Sequence, residues 1–363
     1  MKLQVTQENL NKALNSVARV ANTRSTLPIL ANVMLRTVGN RLSVAATNLD
    51  IAINYFIGSK ITKEGGITVP ARLMQDFVSS LPNGVIDLEL DEHKLHIKTS
   101  TYQSVINGVA VEEFPVMPSI TKGQTIKIPT AAFKTALQQV LFAASNDEAR
   151  PILTGISLHN SNGQLYMAAT DSYRLAEKKI APTSENINLL IPASALQDLQ
   201  RVLGDNDSQT TITYDGQQVL FRFDDVELVA RLIEGNYPDY RKLIPAKFAV
   251  TATVDRNEML NITKVSSLFA RENAGSITIK VEEADKSVSI HSVASQLGEN
   301  TASTTGEISG SGTITLNSRY LLEALQVFDS EKVNLCFNGK LEASVLQEPD
   351  NDDYIHLIMP LKS

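Results

Sequence analysis

The sequence predicts an α+β fold of three repeated domains, each with two helices packed against antiparallel sheets. Pro151-Ile152-Leu153 repeats Pro28-Ile29-Leu30 at an offset of 123 residues, and Ala168-Ala169-Thr170 repeats Ala45-Ala46-Thr47 at the same offset without a gap. Self-similarity over a third of the chain outweighs any single residue as evidence of architecture. The apolar period also switches between helical spacing and strict alternation, which places half-buried antiparallel strands between the helices.

Each element follows in order. Met1-Lys2-Leu3-Gln4-Val5 alternates as a strand and precedes a helix at 8–21. Val69-Pro70-Ala71 opens a helix at 71–81, with Leu73, Met74, Phe77, Val78 and Leu81 at helical spacing. Ile128-Pro129-Thr130 and Ile191-Pro192-Ala193 open two more, at 131–144 and 193–203. Proline suits the first helical turn, where its missing N–H has no partner to lose. Ile86–Leu90 and His96–Lys98 alternate as strands, and Asp91–Lys94 and Asp215–Gln217 read as hairpin turns. Glu113-Phe114-Pro115 and Asn236-Tyr237-Pro238 close the first two copies. A third, more diverged copy starts near Ala249. Asp255 caps its helix at 255–270, strands follow at Ser276–Glu282 and Lys286–Val293, and Leu316-Asn317-Ser318 opens the last helix at 318–328. Gln296–Gly306 and Ser309–Gly312 read as loops or hairpin tips, and linkers fall near Val116–Gln124 and Leu243–Ala249. The domains are therefore 1–120, 121–245 and 246–363. Each helix needs a sheet over its apolar stripe, so helices and sheets take opposite sides.

Composition is that of an ordinary globular chain: 363 residues, 43% hydrophobic and 20% charged. No window reaches the ~20 apolar residues of a membrane span, and the N-terminus lacks an apolar signal core. One cysteine, Cys336, excludes an intramolecular disulfide framework and suits a reducing cytoplasm. A net charge of −7 argues against a uniformly basic nucleic-acid binder. The charge is unevenly placed, however. The six helices carry Lys12, Arg19, Arg72, Lys134, Arg201, Arg256, Lys264 and Arg319 against six acids, a net +2 that leaves −9 for sheets and loops. A ring of such domains would have a weakly positive lining and an acidic exterior.

Catalytic chemistry finds no foothold. His93 and His96 would point to opposite faces of a strand, and His159, His291 and His356 have no second ligand at metal-binding spacing. Cys336 alternates inside an apolar strand as a buried thiol. Gly65-Gly66 lacks the Lys-Ser/Thr of a phosphate loop, and Asp50 and Asp171 fall near matching repeat points, as turn or cap residues do. No catalytic residue, metal or cofactor is expected. The stretch Ala168–Ala176 differs. Thr170, Ser172, Tyr173 and Arg174 bring hydroxyls, an aromatic ring and a guanidinium to a strand end, which is either a plain polar tip or one side of a partner site. The apolar strand Tyr354–Leu361 at the chain end favours the second reading, an apolar surface rimmed by Arg or Lys that receives a short peptide.

Thr26–Leu30, Val69–Arg72, Ala169-Thr170-Asp171 with Arg174-Leu175-Ala176, Tyr237–Arg241 and Met359-Pro360 occur in order along the whole chain. In these motifs the sequence resembles the bacterial β sliding clamps, processivity subunits of DNA polymerase III. The resemblance implies a non-catalytic DNA-clamp fold and a head-to-tail homodimer, whose six domains ring double-stranded DNA in the cytoplasm, on the nucleoid. It implies a dimer contact between Ser104 and Ile106 of one subunit and Leu268 and Phe269 of the other. It implies a pocket for short motifs of the replicative polymerase, the clamp loader and repair polymerases, formed by Leu153, Thr170, Ser172, Tyr173, Arg174, Leu175, Pro238, Lys242, Leu243, Asn317, Tyr320, Ile358, Met359, Pro360 and Leu361. For DNA it implies Arg24 and Arg72; the helix charge adds Lys12, Lys134, Arg201 and Lys264. Ser172-Tyr173 stands where Gly-His is common, Ser104 where a large apolar residue is usual, and Lys362-Ser363 where Arg-Leu is more usual. The rival readings are a hydrolase or metal enzyme built on His93, His96 or the aspartate loops, and a protein-binding repeat scaffold that does not encircle DNA.

Overall fold

Six α-helices occur among the described residues, which in this computed structural model are 1–21, 27–204, 208–296 and 298–361. They are α1 (Gln7–Val17), α2 (Ala71–Ser80), α3 (Thr130–Val140), α4 (Ala193–Val202), α5 (Arg256–Ala270) and α6 (Ser318–Leu325), each on an expected segment. Apolar residues at every third or fourth position give each a buried stripe: Leu10, Leu14 and Val17 on α1, Met74 and Val78 on α2, Leu321 and Leu325 on α6. Side-chain caps fix three starts. Thr6 accepts the Asn9 N–H at 3.4 Å, Asp255 that of Glu258 at 2.8 Å, and Asn317 that of Arg319 at 2.9 Å. The prolines lie one step earlier than expected. Pro70, Pro129 and Pro192 are the last residues of the strands Gly66–Pro70, Gln124–Pro129 and Asn188–Pro192, with the helices starting after them. A fixed φ and a missing donor suit a ladder's end as well as a helix's first turn.

The chain divides into two compact units, Met1–Lys134 with Ser194–Leu232, and Thr135–Ala193 with Ile233–Ser363. Their division cuts through the second repeat because strands pair across repeat boundaries. In the first unit Ile51–Gly58 pairs antiparallel with Val226–Arg231, Ala52 facing Val229. In the second, Arg174–Pro182 pairs with Asn351–Ile358, Leu175 facing Leu357. Ile51 and Arg174, which begin the two seam strands, are again 123 residues apart. The first unit holds a five-stranded and an eight-stranded sheet, and the second a twelve-stranded one. α1 packs on α2 and on Arg41–Thr47 and Ile51–Gly58; α5 packs on α6 and on Ser287–Ala294 and Gly298–Ser309. Stacked Phe133 and Phe221, 5.8 Å apart, fill the first core, and Phe328 and Tyr354, edge to face at 4.9 Å, fill part of the second.

One expected loop is a strand. Gly298–Ser309 pairs along Ser287–Ala294, and its last residues, Gly306–Ser309, also pair with Val250–Asp255. Its Thr- and Ser-rich sequence hides this because Thr304 is the one side chain it buries. Gly306 is required there, since a Cβ would meet the Thr253 carbonyl oxygen at 2.3 Å. The turns at 91–94 and 215–217 form as expected, with positive φ at Glu92 and Gly216. The repeat partner of Asp171 is Asn48, not Asp50: the side-chain oxygens of Asn48 and Asp171 hold the same turn.

Candidate functional site

At the end of the strand Gln164–Thr170 the chain makes a turn locked by its own side chains. Asp171 Oδ1 accepts the N–H groups of Tyr173 (2.9 Å) and Arg174 (3.0 Å). The Thr170 hydroxyl donates to the Arg174 carbonyl at 2.6 Å and accepts the Ser172 N–H at 3.1 Å. The turn puts Ser172 at φ 80, leaves Ser172 and Tyr173 exposed, and sends Arg174 back under the sheet. Arg150, paired with Asp147 at 2.8 Å, donates to the Ser172 hydroxyl at 3.0 Å.

Arg174 is 5% exposed, so it is an anchor rather than a rim charge. Its Nε donates to Asp171 (3.1 Å), its Nη2 to the Phe142 carbonyl (2.6 Å) and its Nη1 to Glu323 of α6. The guanidinium lies 4.5 Å over the Tyr320 ring, whose hydroxyl pKa is raised by burial. Ile358, its cross-strand partner, is fully buried with it. Arg174, Tyr320 and Ile358 thus form the backing of the site.

The core beside it is apolar. Leu175, Tyr240, Val345 and Leu357 form a buried cluster, with Tyr237, Ile244 and Met359 packed against it. The Tyr237 hydroxyl accepts the Thr170 N–H at 2.9 Å. The Tyr240 hydroxyl donates to Glu177, which also holds Arg241 at 3.0 Å. Sequence reasoning passed over this tyrosine and Glu177 network, although the motif Tyr237–Arg241 carried the signal. The chain end crosses the cluster: the Met359 N–H donates to Tyr173 O at 2.8 Å and the Leu361 N–H to Thr315 O at 2.9 Å, with half-buried Pro360 between them. Pro238, Lys242 and Leu243 are exposed beside it, Lys242 pairing with Asp239 at 2.8 Å. Leu153 is buried in a neighbouring turn, and Asn317 caps α6. An apolar floor with a few fixed polar groups suits the docking of apolar side chains, and the described residues here present no activated nucleophile or acid–base pair. Cys336, in the same cluster, is buried, which pushes its thiol pKa up. No group of three or more His, Cys, Asp or Glu among the described residues could hold a metal; His93 lies in a turn and His96 on a strand.

His356 lies behind this floor, fully buried, stacked on Phe142 at 5.4 Å, with no hydrogen-bond partner for Nε2. Burial, helped by the nearby Arg174 charge, depresses its pKa to about 3. A depressed folded pKa means the unfolded chain takes up the proton first. The histidine's contribution to stability is therefore whole above about pH 6.5 and is lost as pH falls from there towards 3, by roughly 1.4 kcal/mol per pH unit. Unfolding free energies measured at pH 7 and pH 5 are expected to lose that slope in His356→Phe; an unchanged slope would assign the acid sensitivity elsewhere.

The basic candidates separate. Lys12 and Arg201 line one open cleft of about 880 Å³ in the first unit, together with Arg19, which sequence reasoning had not chosen. Arg201 pairs with Asp198 at 2.9 Å, and burial raises the pKa of that aspartate. Arg72 and Lys264 are exposed on α2 and α5, Lys134 is half-buried on α3, and Arg24 lies outside the described residues. Ser104 and Ile106 sit on Gln103–Asn107, an edge strand, but Ile106 is buried, and Tyr102 and Val105 present the exposed apolar surface. Leu268 is exposed on α5 beside half-buried Phe269.

Family profiles described as the N-terminal, central and C-terminal domains of the DNA polymerase III beta subunit match residues 1–118, 127–239 and 241–362. Proteins named beta sliding clamp from Staphylococcus epidermidis and Staphylococcus aureus are each 27% identical over 376 aligned positions that cover all of both chains. The crystal structure of the DNA polymerase sliding clamp from Bacillus subtilis superposes with a TM-score of 0.95 at 28% identity, covering 100% of this chain and 99% of that one. A DnaN sliding clamp from Pseudomonas aeruginosa, solved bound to griselimycin, gives a TM-score of 0.95 at 25% identity over the whole of both chains. With all three domains matched in order over nearly its whole length, this chain belongs to the DNA polymerase III beta subunit family.

Proposed function

We propose that two copies of this chain close head to tail into a ring around double-stranded DNA, a sliding clamp that tethers the replicative polymerase, the clamp loader and repair polymerases through short peptides docked on the Thr170–Leu175 and Met359–Leu361 surface. The observation that carries the ring is the repeated seam. Domains join by antiparallel strand pairing at equivalent points of successive repeats, and among the strand edges left open in the described residues one lies in the first repeat and one in the third. Gln103–Asn107 is unpaired on one side, and 298–305 pairs with Ser287–Ala294 alone. Edges of this kind invite pairing with another chain, and a head-to-tail contact closes a ring when its rotation permits. Ser104 and Ile106 would meet Leu268 and Phe269 of the second copy there, with Val105 adding apolar contact. Domain boundaries at the coils near 120 and 245, and residence in the cytoplasm on the nucleoid, belong to the same reading.

Encirclement needs no tight grip. Arg24, Arg72, Lys12, Lys134, Arg201 and Lys264 would make weak phosphate contacts that permit sliding and weaken with salt, while tethering raises a partner's effective concentration at the primer end. Light scattering tests the ring first, and two copies per particle are expected. Loaded on nicked circular DNA by a clamp loader, the protein is expected to stay bound through gel filtration and to leave when the circle is linearised. A monomer that never stays on circles would return the scaffold reading.

A further inference from the structure

We propose that the first repeat carries a second peptide-docking surface, built around Leu49 and Val116; the proposal rests on the reading of the second repeat's surface as a peptide site. The turn at Asn48–Ile51 is a twin of the one at Asp171–Arg174. Asn48 Oδ1 accepts the N–H groups of Asp50 (3.1 Å) and Ile51 (2.8 Å), as Asp171 does for Tyr173 and Arg174. The Thr47 hydroxyl donates to the Ile51 carbonyl at 2.9 Å and accepts the Leu49 N–H at 3.0 Å. Leu49 has φ 79 where Ser172 has φ 80. The strand across the seam returns in the same way: the Arg231 N–H donates to Asp50 O at 3.0 Å, as Met359 donates to Tyr173. Beneath lies a small apolar floor of Met34, Ala45 and Phe114, with Ile29 and Met117 half-buried against it.

What differs is the side chain on top. Left-handed backbone favours Gly, Asn or Asp, and a leucine there is an outlier. The turn itself asks for nothing apolar, since Ser172 serves in its twin. Yet Leu49 is half exposed, Leu27 nearly so, and Val116, two residues after Phe114, is 95% exposed. Strained backbone and uncovered apolar side chains at the repeat position of a partner site point to contact with something outside the chain. The occupant is a short linear peptide with two apolar side chains and a carboxylate. Apolar residues suit Leu49 and Val116, and Arg231, exposed and without an ion pair among the described residues, stands where Met359 stands in the second repeat and complements the negative charge.

The test uses the full chain and a benzophenone-labelled hexapeptide carrying Leu and Phe side chains and a free C-terminal carboxylate. After photolysis, adducts are mapped by mass spectrometry. Adducts on the segments around Leu49 and Val116 are expected, in addition to those near Tyr173 and Met359. Leu49→Gly, which also relaxes the backbone, and Val116→Asp, which touches no core, are each expected to cut the first-repeat adducts about tenfold and to leave the second-repeat ones unchanged. Amidating the peptide should weaken the first set selectively. Adducts confined to the second repeat would overturn this proposal and leave the proposed function intact. Adducts confined to the first would remove the pocket reading and with it the repeat analogy on which this proposal stands, overturning both. Loss of first-repeat adducts on dimer formation, seen by light scattering of the same samples, would assign that surface to a second copy and also overturn it.

Discussion

Arg174→Ala is expected to lower the stability of the unit Thr135–Ala193 with Ile233–Ser363 by about 3–5 kcal/mol, the usual cost of removing one partner from a buried charge network. The guanidinium serves three acceptors from three parts of the chain: Asp171 in its own turn, the Phe142 carbonyl in the turn Leu141–Ala143 that follows α3, and Glu323 on α6. Alanine would leave Asp171 and the Phe142 carbonyl short of a donor in a place water scarcely reaches, and would empty the space beneath Tyr320. Arg174→Lys should recover little, because an ammonium cannot fork to separated acceptors or lie flat on a ring. Thermal unfolding is the measurement. For a unit of this size the midpoint should drop by roughly 6–20 °C, with peptide binding lost in the native protein as the Asp171–Arg174 turn loosens. A shift equivalent to less than about 1 kcal/mol would show that the network behaves like a surface ion pair.

That expectation could not be written from the sequence. Arg174 in AATDSYRLA reads as a cation on a strand tip, and its partner Glu323 stands 149 residues away. Local pattern carries what local physics decides. The helices were legible because each carries an apolar stripe behind a local start signal, a proline before α2, α3 and α4 and a capping Thr, Asp or Asn before α1, α5 and α6. The turn at Asp171 was legible as a turn because Asp followed by Ser is turn chemistry. The strand Gly298–Ser309 was not, since its order comes from backbone pairing, of 298–305 with Ser287–Ala294 and of 306–309 with Val250–Asp255, and its polar side chains leave no period to read. Ile106 was named as an interface residue from resemblance, but alternation along Gln103–Asn107 buries it and turns Val105 outward. The pairing of Ile51–Gly58 with Val226–Arg231 is likewise invisible to periodicity, so three sequence repeats became two compact units.

Met359→Asp separates partner binding from the ring. Met359 packs against the cluster of Leu175, Tyr240, Val345 and Leu357 while its N–H is held by Tyr173. A carboxylate at that position would have to lie on an apolar floor whose nearby cations are engaged, Arg241 by Glu177 and Lys242 by Asp239. A docking peptide would then bury an unpaired charge, and losses at such central positions reach about 2 kcal/mol or more, so affinity for polymerase-derived peptides should fall at least roughly 30-fold. Met359 is only half buried in the free chain, so the variant should fold, keep the mass of the parent and stay on circular DNA. Met359→Leu, which keeps the apolar contact, should bind within about threefold of the parent. Fluorescence anisotropy with a labelled peptide decides the matter. Unchanged affinity in Met359→Asp would move the docking surface away from the chain end. Loss of both peptide binding and DNA retention would mean that the Met359 cluster supports the fold itself rather than a partner.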